Sequence, residues 1–318
     1  VNKIFNPEIY QGAKKTTRYF EGWYFKLVSL DQKYNIAFIP GISLNQDDRH
    51  SFIQVFITAN NHSGMNLKTY YIRYPAVAFK YSTQKFEVTI GENFFSAHTL
   101  KLKIEDQDLK LSGQIMLSKL NPIKKSLLSP SIMGFFAYIP KMECYHGVIS
   151  MSHELKGNLT INNELINLTG GKGYLEKDWG RSFPRGYVWV QSNHFQDPTA
   201  SFMFSYADIP FLGFYFKGLI ANLQVAEKEY RFATYNFAKV KEESISKDRV
   251  RYILQRFNLR LEIEAVLKQT KDLPAPKDGK MNHTIKEGLM GEVHLKLFDR
   301  EKLIFEDHGF SSGIEIMK

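Results

Sequence analysis

The chain of 318 residues has one cysteine, Cys144. No intramolecular disulfide can form, so no oxidising compartment is needed and a cytoplasmic or membrane-apposed location is expected. No uninterrupted run of about 18 apolar residues occurs, so no spanning helix is expected, and the opening VNKIFNPEIYQGAKK lacks the core of a signal peptide. Phosphate-loop chemistry is excluded as well, because Lys172 is followed by glycine and a strand rather than by Ser or Thr and a helix. The serine elbow GxSxG is missing. Metal ligation has few candidates: Glu143, Cys144 and His146, with His153 and Glu154 nearby, are too sparse for a zinc site. Neither a metal nor a cofactor is expected. The formal charge of +9 favours an anionic membrane surface, an acidic ligand or nucleic acid. The basic residues are scattered in pairs such as Lys14 and Lys15, or Lys124 and Lys125, and RNA-binding signatures are absent. Solubility explains the charge, and no nucleic-acid partner is expected.

Aromatic side chains, in contrast, are abundant at 14%, with 25 Phe and 17 Tyr. They favour pleated sheet or an aromatic-lined cavity. Period-two alternation follows: Phe52, Gln54, Phe56 and Thr58 alternate with Ile53, Val55 and Ile57, and Leu259, Leu261 and Ile263 alternate with Arg260, Glu262 and Glu264. Between Pro122 and Pro140 the texture is too punctuated for more than a short helical turn. Residues 268–284 carry Pro274, Pro276 and almost no apolar content, which predicts a long exposed loop or lid. The length predicts two domains, divided as 1–165 and 166–318, both all-β.

The most informative stretch is GGKGYLEKDWGRSFP, residues 170–184. If 174–179 are extended, Tyr174, Glu176 and Asp178 share one face while Leu175, Lys177 and Trp179 share the other. Two carboxylates and a phenol then meet. Either they are structural, paired with Lys177, Arg181 and Arg185, or one carboxyl holds its proton at neutral pH and donates it. His146 is a third candidate acid. Trp23, Tyr24, Trp179 and Trp189 form either core or, with Tyr174 and Arg181, the lining of an apolar ligand site. Cys144 reads as a small buried hydrophobe rather than a nucleophile.

The motif GGKGYLEKDWG, with YFEGWYFK near the start and SPSIMGFFAYIPKMECYHGVISMSHELKG before it, resembles the tocopherol cyclase family. The resemblance implies two lipocalin-like antiparallel β-barrels. It also implies an activity that protonates a prenyl double bond so that a phenol oxygen captures the cation. Carotenoid 1,2-hydratases share the architecture and also begin by protonating an isoprenoid alkene. The expected partner is therefore an apolar or prenylated small molecule, with peripheral association to a membrane as a second expectation. A lipocalin-like carrier, in which the same carboxyls only lock the structure, stays open beside the enzyme.

Overall fold

The computed structural model describes residues 2–61, 64–211 and 213–317. About 65% of the chain is strand, in two antiparallel sheets. The described residues contain no α-helix, only short 3₁₀ turns, one of them at Gly134–Tyr138 where the proline-bracketed segment predicts a helical turn. No helix among them is long and apolar enough to cross a membrane.

The first sheet has twelve strands: β1 (Tyr19–Val28), β2 (Tyr34–Leu44), β3 (His50–Asn61), β4 (Gly64–Pro75), β5 (Phe79–Tyr81), β6 (Glu87–Ile90), β7 (Asn93–Ser96), β8 (Thr99–Glu105), β9 (Lys110–Leu117), β10 (Cys144–Ile161), β11 (Glu164–Asn167) and β12 (Lys172–Gly180). Their order is β4-β3-β2-β1-β12-β10-β9-β8-β7-β6-β5, with β11 paired to β10. The edges β4 and β5 are not paired with each other among the described residues. Alternate residues of the central strands, including Trp23, Phe25, Phe38, Val55 and Leu175, point into one apolar core. The opposite face of β1, β2, β3 and β12 is also buried, yet it carries Tyr24, Lys26, Asn35, Gln54, Tyr174 and Glu176. A sheet buried on both faces normally reads as continuous apolar sequence. Here one of the two buried faces is polar and aromatic.

The second sheet comprises β13 (Tyr187–Ser192), β14 (Ser201–Phe211), β15 (Phe214–Val225), β16 (Lys228–Ala233), β17 (Lys239–Ile245), β18 (Arg249–Arg256), β19 (Leu259–Val266), β20 (Lys271–Lys277), β21 (Lys280–Asp299) and β22 (Lys302–Met317). The order is β16-β15-β14-β13-β22-β21-β19-β18-β17, with β20 on β21. Its own core holds Val190, Phe202, Phe204, Tyr252, Ile263 and Leu295.

Two compact units result: 1–125, 140–183 and 274–284 make the first, and 126–139, 184–273 and 285–318 the second. The main crossing lies after residue 183 rather than at 165, because β12 is hydrogen-bonded between β1 and β10 and completes the first sheet. Residues 268–284 are not the loop their composition predicts. They form the β20–β21 hairpin, with Leu273 and Ala275 buried. The prolines remove N–H donors but leave their carbonyls usable. Within the first unit the Pro274 carbonyl accepts from Gln54 Nε2 at 3.0 Å and the Pro276 carbonyl from the Phe183 N–H at 3.1 Å.

Candidate functional site

Register decides which side chains meet. Gly22 of β1 stands opposite Asp178 of β12, and Asp178 stands opposite His146 of β10. One pair along, Tyr24, Glu176 and Val148 form the next row. In both rows the side chains face away from the apolar core, as alternation requires. On the reverse face of β12 a Cβ at Gly173 would sit 2.3 Å from His153 Nε2, so glycine lets the buried His153 ring lie against that strand.

His146 is held between two carboxylates. Its Nδ1 donates to Asp178 Oδ1 at 2.8 Å, and its Nε2 lies 3.4 Å from Glu176 Oε2. Tyr174, fully buried, donates its hydroxyl to the same Glu176 oxygen at 2.5 Å. Burial by itself would lower the His146 pKa, but Asp178 and then Glu176 outweigh it and raise it well above the usual 6.5. The two carboxylates thus favour the protonated form of the ring. Burial, reinforced by Glu176, pushes the Tyr174 phenol up, so it remains a donor. Cys144 Sγ lies 3.9 Å from Asp178 Oδ1, and burial followed by that carboxylate drives its thiol up. It is not activated as a nucleophile.

The ligand atoms of His146, Glu176 and Asp178 lie within 4.8 Å of one another, a spacing that suits a divalent cation. A cation bound there would take the place of one of the ring's N–H protons, which face Asp178 and Glu176 as the side chains stand. The side chains of Asp178 and His146 keep 23% and 15% exposure against 6% for Glu176. Gly22, Ile39 and Cys144 are half-buried as well, whereas their neighbours Glu21, Trp23, Phe38 and Pro40 are buried. An accessible spot thus interrupts a face that is otherwise closed.

The sequence reading joined Glu176, Asp178 and Tyr174 correctly on one face, with Tyr24 beside them across the β1–β12 ladder. Trp23 and Trp179 lie on the reverse face. There Lys177 Nζ sits 4.7 Å from each of their ring centroids, pairs with Glu21, and donates to the carbonyls of Pro7 and Ile9 at 2.7 and 2.8 Å. Desolvation lowers Lys177 to about 8, against the attraction of Glu21. The cation expected to neutralise the two carboxylates thus serves another acid, and Arg181 turns to Asp278. Arg185 pairs with Asp208 in the second unit. Trp189 also belongs to that unit, buried in β13 opposite Ser205 and Glu315. Pairing of His146 with both carboxylates depends on the β10–β12 register, which no local pattern announces. The EGW of the YFEGWYFK motif was the available hint that β1 would contribute Glu21 and Gly22.

No curated protein matches the chain. Among solved structures, CghA superposes with a TM-score of 0.62 at 11% identity, covering 94% of this chain and 88% of that one. A putative AttH from Nitrosomonas europaea gives 0.54 at 14%, covering 94% and 93%. Kievitone hydratase from Nectria haematococca gives 0.51 at 10%, covering 97% and 93%. At such identities the likeness establishes the fold alone. The sequence signature of the tocopherol cyclase-like proteins matches residues 122–317, a segment that holds His146, Tyr174, Glu176 and Asp178, and the chain belongs to the tocopherol cyclase-like family.

Proposed function

We propose that this protein is a non-redox cyclase or hydratase that protonates a carbon–carbon double bond of an apolar, prenylated substrate. The observation that carries this reading is the His146 ring clamped between Asp178 and Glu176 at a half-buried spot on a largely buried sheet face. Family membership and the hydration named in kievitone hydratase, a fold relative, point the same way. Two lipocalin-like barrels, each sheet curled round its own core, would supply the dry surroundings.

An alkene is a weak base, so it needs an acid stronger than an imidazolium stabilised by two anions. His146 supplies it by passing its Nδ1 proton to Asp178, the most exposed of the three, which becomes a neutral carboxylic acid. That acid protonates the less substituted alkene carbon and leaves a carboxylate facing the new tertiary cation. Glu176, fixed by Tyr174, adds a second negative charge on the same side. A phenolic oxygen of the substrate, or a water molecule, then forms the C–O bond. Its released proton returns to Asp178 and from there to neutral His146, so no net proton is consumed.

Incubation with a geranyl-substituted hydroquinone, followed by mass spectrometry, tests the reading. A product of unchanged mass indicates cyclisation, and a product heavier by one water indicates hydration. Tight binding with no conversion under any condition would refute catalysis and leave a carrier.

A further inference from the structure

Two glycines stand side by side in the row that contains the acid. Phe52, Gly41, Gly22, Asp178 and His146 occupy successive strands β3, β2, β1, β12 and β10 at one register. Their reasons for being glycine differ. At Gly41 a Cβ would lie 2.4 Å from Phe52 Cζ and 2.8 Å from the Glu21 carbonyl, so packing demands glycine there. At Gly22 the nearest atom to a Cβ would be Ile39 Cγ2 at 3.2 Å, followed by the Pro40 carbonyl at 3.7 Å and Phe52 Cζ at 4.0 Å. An alanine would need only a small shift of one side chain. The backbone gives no reason either, since Gly22 is not in the left-handed region and both ladders of β1 run through it without a bulge.

Glycine in the middle of a central strand weakens it, and with no bulge at Gly22 and a single tight contact, to Ile39, close approach of a ligand is a further reason to keep it. Gly22 is also half-buried although its neighbours Glu21 and Trp23 are fully buried, so part of the space above it stays reachable between Ile39, the Pro40 carbonyl and Phe52. That space borders the Asp178–His146 pair on one side and Ile39 and Phe52 on the other. We infer that Gly22 is the floor of the substrate subsite, kept bare so that a flat, unsaturated hydrocarbon group lies directly on β1 with its double bond beside Asp178. The inference rests on the reading of the site as an alkene-protonating centre. Ile39 and the edge of Phe52 then make the apolar wall along which the rest of the prenyl chain runs. A side chain at 22 would lift the alkene away from the acid.

Geranyl-hydroquinone serves as probe for Gly22→Ala and Gly22→Val, with affinity measured by titration calorimetry, steady-state turnover and thermal melting. Gly22→Ala is expected to melt at or above the wild-type temperature and to lose affinity by about tenfold or more, with KM rising at least as far as kcat falls. Gly22→Val should lose more. His146→Gln, in contrast, should bind the probe as wild type does and fail to convert it. Wild-type affinity and KM in Gly22→Ala, with turnover intact, would overturn this inference and leave the proton-transfer reading standing. Loss of affinity that tracks a fall in melting temperature would overturn it too, by assigning Gly22 to packing. A wild-type protein that neither binds nor converts the probe removes the reading of the site and this inference with it.

Discussion

His146 and His153 show how one sheet shifts two histidines in opposite directions. His146 has its pKa raised by two carboxylates, whereas burial lowers His153 to about 4, with the Ser150 hydroxyl at 3.0 Å beside it. The signs of their pH effects therefore oppose. The raised His146 contributes stability that is complete below its unfolded pKa and is lost as pH rises through the folded value. The lowered His153 contributes stability present above about 6.5 and lost as pH falls toward about 4. Replacing His153 by Gln should flatten the acid limb of a stability-against-pH curve between those values, and chemical denaturation at several pH values checks it. For Asp178→Asn, turnover of the hydroquinone probe should fall by about 10² or more with binding nearly unchanged, because the amide keeps the shape and lacks the transferable proton. Kinetics beside calorimetry separate the two effects.

At the scale of elements, β12 carries a different task on each face. Its outward residues hold the acid, and its inward Lys177 anchors the segment from Pro7 to Gly12 through Glu21, which also accepts the N–H groups of Gln11 and Gly12 at 2.8 and 2.9 Å. Removing one partner of a fully buried pair strands the other, so Lys177→Met should cost about 3–5 kcal/mol. Urea denaturation would measure it, and a loss under 1 kcal/mol (about the worth of a surface pair) would show that the anchor is weak. The tip of the β20–β21 hairpin is held differently. Gly279 has φ +76°, and a Cβ would lie 2.4 Å from the Tyr19 amide nitrogen, while the Arg18 and Arg181 pairs with Asp278 are half exposed. Gly279→Ala should therefore free the tip to proteolysis, whereas Asp278→Ala should cost no more than about 1 kcal/mol. Limited digestion of the two variants distinguishes these anchors.

For the molecule as a whole, the sheet architecture was legible because period-two alternation is local: a residue and its second neighbour share a face whatever the partner strand is. That same rule placed Tyr174, Glu176 and Asp178 together and set Lys177 and Trp179 against them. It misplaced residues 268–284, where lysines and prolines mask the alternation of Leu273 with Ala275, and the carbonyl partners that make a proline-containing strand acceptable lie more than 90 positions away in the sequence. The basic charge of +9 has no single stripe behind it. If it served lipid rather than solubility, sedimentation with anionic vesicles would be strong at low salt and abolished as the Debye length shrinks, whereas neutral vesicles would not bind.

By itself the sequence determined an all-β chain of the tocopherol cyclase-like family, with a single cysteine and with two carboxylates and a phenol on one face of a strand. Only the tertiary structure decided that their partner is His146 rather than Lys177, Arg181 or Arg185, that Trp23 and Trp179 enclose a structural lysine, and that Gly22 lies half-buried beside the acid. The reason is register. Which residue of β10 or β1 comes to rest opposite Asp178 depends on pairings between strands more than 30 and 150 positions apart, and the energy that selects them is burial of two complete sheet faces, a quantity no short stretch of sequence contains.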